Sequence, residues 1–222
     1  MIVSKRFGFY YSTLGKKILM SFTGIILFVF VLAHMVGNLQ IYAGPEKLNE
    51  YSAFLHRNAN EILWPARIVL IACVLVHFVA AVQVWLRNRA ARPVEYRVKV
   101  DIAVNYAVRT MVWSGPLIFA FLVYHLLHLT FGAVHSQRFV GEDVYQNVVA
   151  GFQLWPVSLV YIIANLILAF HLYHGLWSLF QTIGWNHSRF NSWRRLGAVV
   201  FSLVVAAGNI SIPVSVSAGW VR

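Results

Sequence analysis

The sequence predicts an all-α integral membrane fold: one domain over residues 1–222, with five transmembrane helices and a cytoplasmic amino terminus. Three observations carry this. The chain is 59% hydrophobic and only 11% charged, whereas soluble domains run near a quarter charged. Its apolar residues fall into five runs, each meeting the roughly 20 residues a spanning helix needs. Its charges lie between those runs.

The first span is expected at about 18–42. It follows a basic, aromatic arm, and it lacks a small-residue cleavage site, so it reads as a retained helix rather than a signal peptide. The second is expected at about 62–86, after a connector (43–61) that opens on Gly44-Pro45 and has room for a short surface helix. The third, at about 109–132, follows a strongly basic connector broken by Pro93. A polar connector with Gly141, Glu142 and Asp143 leads to the fourth, at about 156–182. A tight basic turn leads to the fifth, at about 196–218. No low-complexity segment and no internal repeat stands out. No hydrophilic block is long enough for a separate catalytic domain, so soluble partner proteins are expected.

Lysine and arginine in short loops set orientation. Thirteen of the 18 fall in the amino-terminal arm, residues 87–109 and residues 183–195. Those segments are expected in the cytoplasm, with the carboxyl terminus outside. The net charge of +11 is explained by this topology, and no nucleic-acid partner is expected. Cys73 is the single cysteine. This excludes a disulfide framework, a cysteine-ligated cluster and a C-x-x-C-H attachment site.

The chemistry lies in histidines inside the apolar runs. The third span contains FLVYHLLHLTF (121–131), with His125 and His128; the first contains His34, the second His77, and the fourth His171 and His174. An ionisable side chain in hydrocarbon is costly and marks function by default. Depth follows from the expected ends. His34 and His125 each lie 16 residues past an inner end, about 24 Å at 1.5 Å per residue. His77 lies nine residues before Leu86 and His171 ten before Gln181, about 14 Å from the inner face. Two levels result, roughly 10 Å apart: an outer pair, His34 with His125, and an inner pair, His77 with His171. Two imidazoles on facing helices at one depth are what bis-histidine haem requires, and helix bundles commonly hold cofactors in this way. The first four helices are therefore expected to form a haem-binding bundle with two non-covalent haem b groups, and the fifth to be scaffold. His128 and His174 lie three residues after a candidate on the same helix face, and periodicity leaves them open as ligands. Gly24, Gly37, Gly115 and Gly175 would let a macrocycle or a neighbouring helix come close.

At this point the chain resembles the di-haem cytochrome b membrane anchor of succinate:quinone oxidoreductases, the single-subunit five-helix type of succinate dehydrogenases and fumarate reductases. The resemblance runs from about Lys16 to Ser217. It is carried by Ser21-Phe22-Thr23-Gly24 thirteen residues before His34, and by Ala33-His34-Met35-Val36-Gly37-Asn38. It is also carried by Gly115 ten residues before His125, and by His171-Leu172-Tyr173-His174-Gly175-Leu176-Trp177. The resemblance implies His125 rather than His128 as a ligand, and His171 rather than His174. It implies a distal haem on His34 and His125 and a proximal haem on His77 and His171. It also implies an iron–sulfur subunit and a flavoprotein subunit as partners, membrane quinone as substrate, with menaquinone the quinone often associated with this form, and a bacterial cytoplasmic membrane. Glu50 and Glu61, in the outer connector, are the candidates for quinone protonation. Ser21, Arg67 and Arg109 are the candidates for the haem propionates.

Two rivals are weighed on sequence. The haem b subunit of a hydrogenase, formate dehydrogenase or nitrate reductase also threads histidines through a few helices; spacing in spans three and four favours the succinate family. A histidine-relay proton or metal transporter is expected to carry intramembrane carboxylates, and these spans carry none away from their ends.

Overall fold

The computed structural model describes residues 8–57, 59–91, 106–134, 136–185 and 187–222. Among the described residues there is no strand. The helices are α1 (Thr13–Asn38), α2 (Pro45–Arg57), α3 (Asn60–Ala90), α4 (Tyr106–His125), α5 (Val144–Phe152), α6 (Trp155–Thr182) and α7 (Asn191–Ser217). Five of them, α1, α3, α4, α6 and α7, are long and apolar enough to cross a membrane. The short helix expected in the first connector is α2. Most of the basic connector after α3, including Pro93, lies outside the described residues.

The helix ends differ from expectation where local chemistry extends them. α1 starts five residues before Ile18, because Ser12 caps it: the Ser12 hydroxyl accepts from the Gly15 N–H at 2.8 Å. A side-chain acceptor at this position satisfies one of the free amides of the first turn. Lys16 is thereby drawn inside the helix and buried. Its ammonium donates to the Gln83 amide oxygen and lies 3.9 Å over the Tyr10 ring, so an amide and an aromatic face receive a charge that the sequence places in a loop. α3 continues to Ala90 through Arg87 and Arg89; cations suit the last turn of a helix, and Arg87 also donates to the Tyr11 carbonyl at 2.6 Å. α4 ends in a π turn, Leu126–Thr130. α6 has Pro156 in its first turn, where the missing N–H is not needed.

α5 is not foreseen by the sequence. The connector before it is polar, and a nine-residue run is too short to stand out beside the spans. Asp143 caps it, accepting from the Gln146 N–H at 2.9 Å. It then buries Tyr145, Val149 and Phe152.

Side-chain contacts give the directions. Along α1 the sequence Lys16, Met20, Thr23 meets Gln83 and then His77 on α3, so this pair is antiparallel. Ser114 meets His171 and Phe121 meets Tyr161, so α4 and α6 are antiparallel. Ser158 meets Ser217 and Trp177 meets Arg194, so α6 and α7 are antiparallel as well. α1 also packs on α6 and α7, with Phe28 against Phe201 at 5.8 Å.

One end is closed by the short helices. Ile41, Leu48, Tyr145, Val149, Phe152, Val157, Tyr161, Ile212 and Val216 form one buried apolar cluster there. Its polar groups are satisfied internally. Asn49 donates to Asp143 at 2.9 Å and accepts from the Tyr145 N–H at 3.0 Å. Ser158 donates to the Phe152 carbonyl at 2.7 Å, and the Tyr145 hydroxyl donates to the Arg222 carbonyl at 3.0 Å. The short helices make this the capped end; the far end carries Arg87, Arg89 and the basic turn between α6 and α7.

Candidate functional site

Four imidazoles come together two by two. The ring centroids of His34 and His125 are 5.8 Å apart with planes at 89°. Those of His77 and His171 are 6.4 Å apart with planes at 58°. One iron held between two imidazole nitrogens, at about 2 Å each, sets ring centres about 6 Å apart. Both separations meet that test.

The hydrogen bonds decide which ring nitrogen is offered. His77 Nδ1 lies 3.1 Å from the Met20 carbonyl and 3.1 Å from Thr23 Oγ1. A carbonyl only accepts, so Nδ1 carries the hydrogen and Nε2 carries the lone pair. The Thr23 hydroxyl donates to the Leu19 carbonyl at 2.9 Å, which leaves its oxygen to accept as well. His171 Nδ1 lies 3.2 Å from Ser114 Oγ, and the Met111 carbonyl, 3.4 Å from the same oxygen, is an acceptor for the serine hydrogen. His125 Nδ1 lies 3.3 Å from the Tyr161 hydroxyl. Three of the four imidazoles thus have Nδ1 in hydrogen-bond contact; the Met20 carbonyl leaves Nε2 of His77 free to ligate a metal, and a hydroxyl that accepts does the same for His125 and His171.

The two hairpins repeat one scheme. Thr23 stands eleven residues before His34 on α1 and holds His77; Ser114 stands eleven residues before His125 on α4 and holds His171. Eleven residues rise about 16 Å, so the two levels are about 16 Å apart along the helices. The roughly 10 Å expected from sequence was too short, because it set the inner ends of facing helices level with one another, whereas the contacts of Thr23 with His77 and of Ser114 with His171 set the register. Arg67 on α3 stands ten residues before His77, as Tyr161 on α6 stands ten before His171. A repeat that the sequence does not display therefore exists in the positions of a few polar side chains.

The neighbouring histidines are placed differently. His128 is buried at 4% exposure, its Nδ1 is 2.9 Å from the Tyr161 hydroxyl, and its ring is stacked 5.7 Å from Tyr124. A Cβ on Gly151 of α5 would meet its ring at 2.8 Å. His128 is thus enclosed by Tyr161, Tyr124 and α5. His174 is half-buried. His34 is exposed, with Phe30 stacked on it at 5.4 Å.

Of the four glycines singled out by sequence, Gly24 faces His77, where a Cβ would lie 3.6 Å from Cε1. Gly37 faces the Tyr51 ring and Gly175 faces Phe28, while a Cβ on Gly115 would meet no protein atom within 4 Å. Glu50 is exposed and pairs with Lys47 at 3.3 Å. Glu61 is exposed in the first turn of α3. Arg67 is half-buried, its guanidinium 3.2 Å from His56 Nε2 and 5.2 Å from the Trp64 ring. Ser21 is half-buried on α1, two residues from Thr23. Arg109 belongs to the first turn of α4, and its side chain lies outside the described residues.

Sequence reasoning missed the polar partners. Thr23 and Ser114 sit inside or beside runs it quoted, yet they were not read as imidazole anchors. Tyr161 is a lone phenol in the aliphatic first half of α6, and that isolation was the available signal. Among the described residues, no group of three or more His, Cys, Asp and Glu is placed to hold a bare metal ion. The gathered donors are pairs, and a pair suits a metal whose remaining ligands come with a macrocycle. Comparison with family models, with curated proteins and with solved structures finds no match.

Proposed function

We propose that this chain is the membrane anchor and haem b electron-transfer subunit of a succinate:quinone oxidoreductase. One observation carries the haem part: two imidazole pairs at iron-spanning separation, with Nδ1 tied in three of the four rings. The choice among haem-bearing respiratory subunits rests on the resemblance of the runs around His34, His125 and His171.

In this proposal His34 and His125 hold the distal haem at the capped end, and His77 and His171 hold the proximal haem towards the far end. Haem, when bound, supplies one-electron redox chemistry; ligand identity, hydrogen bonding and burial set its potential. Thr23, the Met20 carbonyl, Ser114 and Tyr161 fix the imidazoles and raise their basicity. Ser21, Arg67 and Arg109 would serve as partners for the propionates. Glu50 and Glu61 exchange protons with quinone at the capped end, which lies outside a bacterial cytoplasmic membrane. The basic turns of the far end lie in the cytoplasm and receive an iron–sulfur subunit, which links to a flavoprotein subunit that interconverts succinate and fumarate. Charge moving fully across the bilayer through this chain is coupled to the membrane potential at about 2.3 kcal/mol per 100 mV.

The test is purification of the chain from its native membrane with whatever accompanies it. The expected result is a dithionite-reduced b-type spectrum at two haems per chain, with co-purifying flavin and iron–sulfur proteins and succinate–dye reductase activity. A colourless, folded protein overturns the haem assignment. A nickel or molybdenum partner overturns the choice of enzyme.

A further inference from the structure

The Tyr161 hydroxyl lies between two imidazoles, 2.9 Å from His128 Nδ1 and 3.3 Å from His125 Nδ1. Tyr161 is 5% exposed. Its ring is clamped edge-on by Phe121 at 5.0 Å and Phe152 at 4.8 Å, so the hydroxyl has little freedom to turn elsewhere. The π turn after His125 adds a residue to the helical repeat, and His125 and His128 both reach this one oxygen. A phenol has a single hydrogen to donate but can accept as well. The shorter contact, to His128, takes that hydrogen. The oxygen then accepts from His125 Nδ1–H, which leaves His125 Nε2 with its lone pair.

We infer that Tyr161 is a positioning residue for the distal iron: with His128 as its acceptor, it fixes the tautomer of His125 and tunes the potential of that haem alone. This rests on the haem ligation proposed above. At the other level the same task falls to Ser114, on His171, and to Thr23 with the Met20 carbonyl, on His77. His128 is thereby assigned a role as second partner rather than as ligand. An acceptor on Nδ1–H raises imidazole basicity and so favours ferric iron; its removal favours ferrous iron.

The test is a redox titration of the purified complex carrying Tyr161→Phe, which keeps the clamped ring and deletes the hydroxyl. The distal component is identified as the one retained in His77→Ala. Tyr161→Phe is expected to keep two haems and to raise the distal ferrous-to-ferric ratio at fixed potential by about three- to tenfold, tenfold being 59 mV for a one-electron couple. The proximal component stays unmoved. Ser114→Ala is expected to shift the proximal component and spare the distal one. Two haems with an unshifted distal component in Tyr161→Phe, or a shift in the proximal one, overturn the inference. Wild-type complex without haem refutes the ligation proposal instead. If Tyr161→Phe does not accumulate, nitrogen NMR of reduced, histidine-labelled wild type decides: His128 is expected to carry its hydrogen on Nε2, and a hydrogen on its Nδ1 overturns the inference.

Discussion

Gly151→Ala tests the packing behind the distal pair without any assumption about cofactor. Gly151 is buried on α5, and a Cβ there would sit 2.8 Å from both Cε1 and Nε2 of His128. Carbon atoms do not approach so closely, so something must move. The imidazole cannot retreat cheaply: it is 4% exposed, and its Nδ1 is held by Tyr161 at 2.9 Å. Overpacking of a well-filled site costs about 1–3 kcal/mol. Losing the hydrogen bond adds about 1 kcal/mol, and replacing a helical glycine by alanine returns about 0.5–1 kcal/mol. The net expectation is a loss of about 2 kcal/mol, or roughly thirtyfold in the folding equilibrium. The assay is reversible unfolding in detergent, compared with Gly197→Ala on α7, whose added Cβ meets no protein atom within 4 Å. The double variant Gly151→Ala/His128→Ala removes the clash, and its cost is expected to fall well short of the sum of the two single changes. If Gly151→Ala is as stable as Gly197→Ala, α5 does not pack on His128 as described.

Other outcomes follow from the same geometry. His77→Ala or His171→Ala is expected to lose the proximal haem first and to weaken assembly with the soluble subunits; haem stoichiometry and co-purification read this, and equal loss of both haems contradicts separate sites. His128→Ala and His174→Ala are expected to retain two haems per chain, so loss of either haem from these variants reassigns the ligands. Thr23→Val leaves His77 its Met20 carbonyl, whereas Ser114→Ala removes the acceptor described for His171 Nδ1. Proximal haem affinity is therefore expected to fall about fivefold more in Ser114→Ala than in Thr23→Val, at about 1 kcal/mol for one hydrogen bond; equal affinities in a haem-titration assay argue against the anchoring role of Ser114.

The five spans were legible because hydrocarbon demands long, uninterrupted apolar runs, and each run overlaps one of the five apolar helices. Their ends were not, because they are set by single local contacts: the Ser12 cap, the Lys16 bond to Gln83, the arginines in the last turn of α3. α5 escaped because a nine-residue run inside a polar connector is too short to be told from loop until a partner surface is known. For the site, residue type and spacing pointed to His34, His77, His125 and His171, and the rings of His34 with His125 and of His77 with His171 are neighbours in the structure. What could not be read was the hydrogen-bonding shell. Thr23, Ser114 and Tyr161 become partners only through which face of α1, α4 and α6 turns inward, and a one-dimensional pattern dominated by leucine, valine and phenylalanine does not fix that face.

The matched count of eleven residues from Thr23 to His34 and from Ser114 to His125 behaves like two rulers cut to one length. A single residue inserted inside either stretch would swing everything beyond it by about 100°, taking a side chain away from one level while the other stayed in place. Evolution of this architecture should therefore tolerate additions in the turns between helices and refuse them within those two stretches.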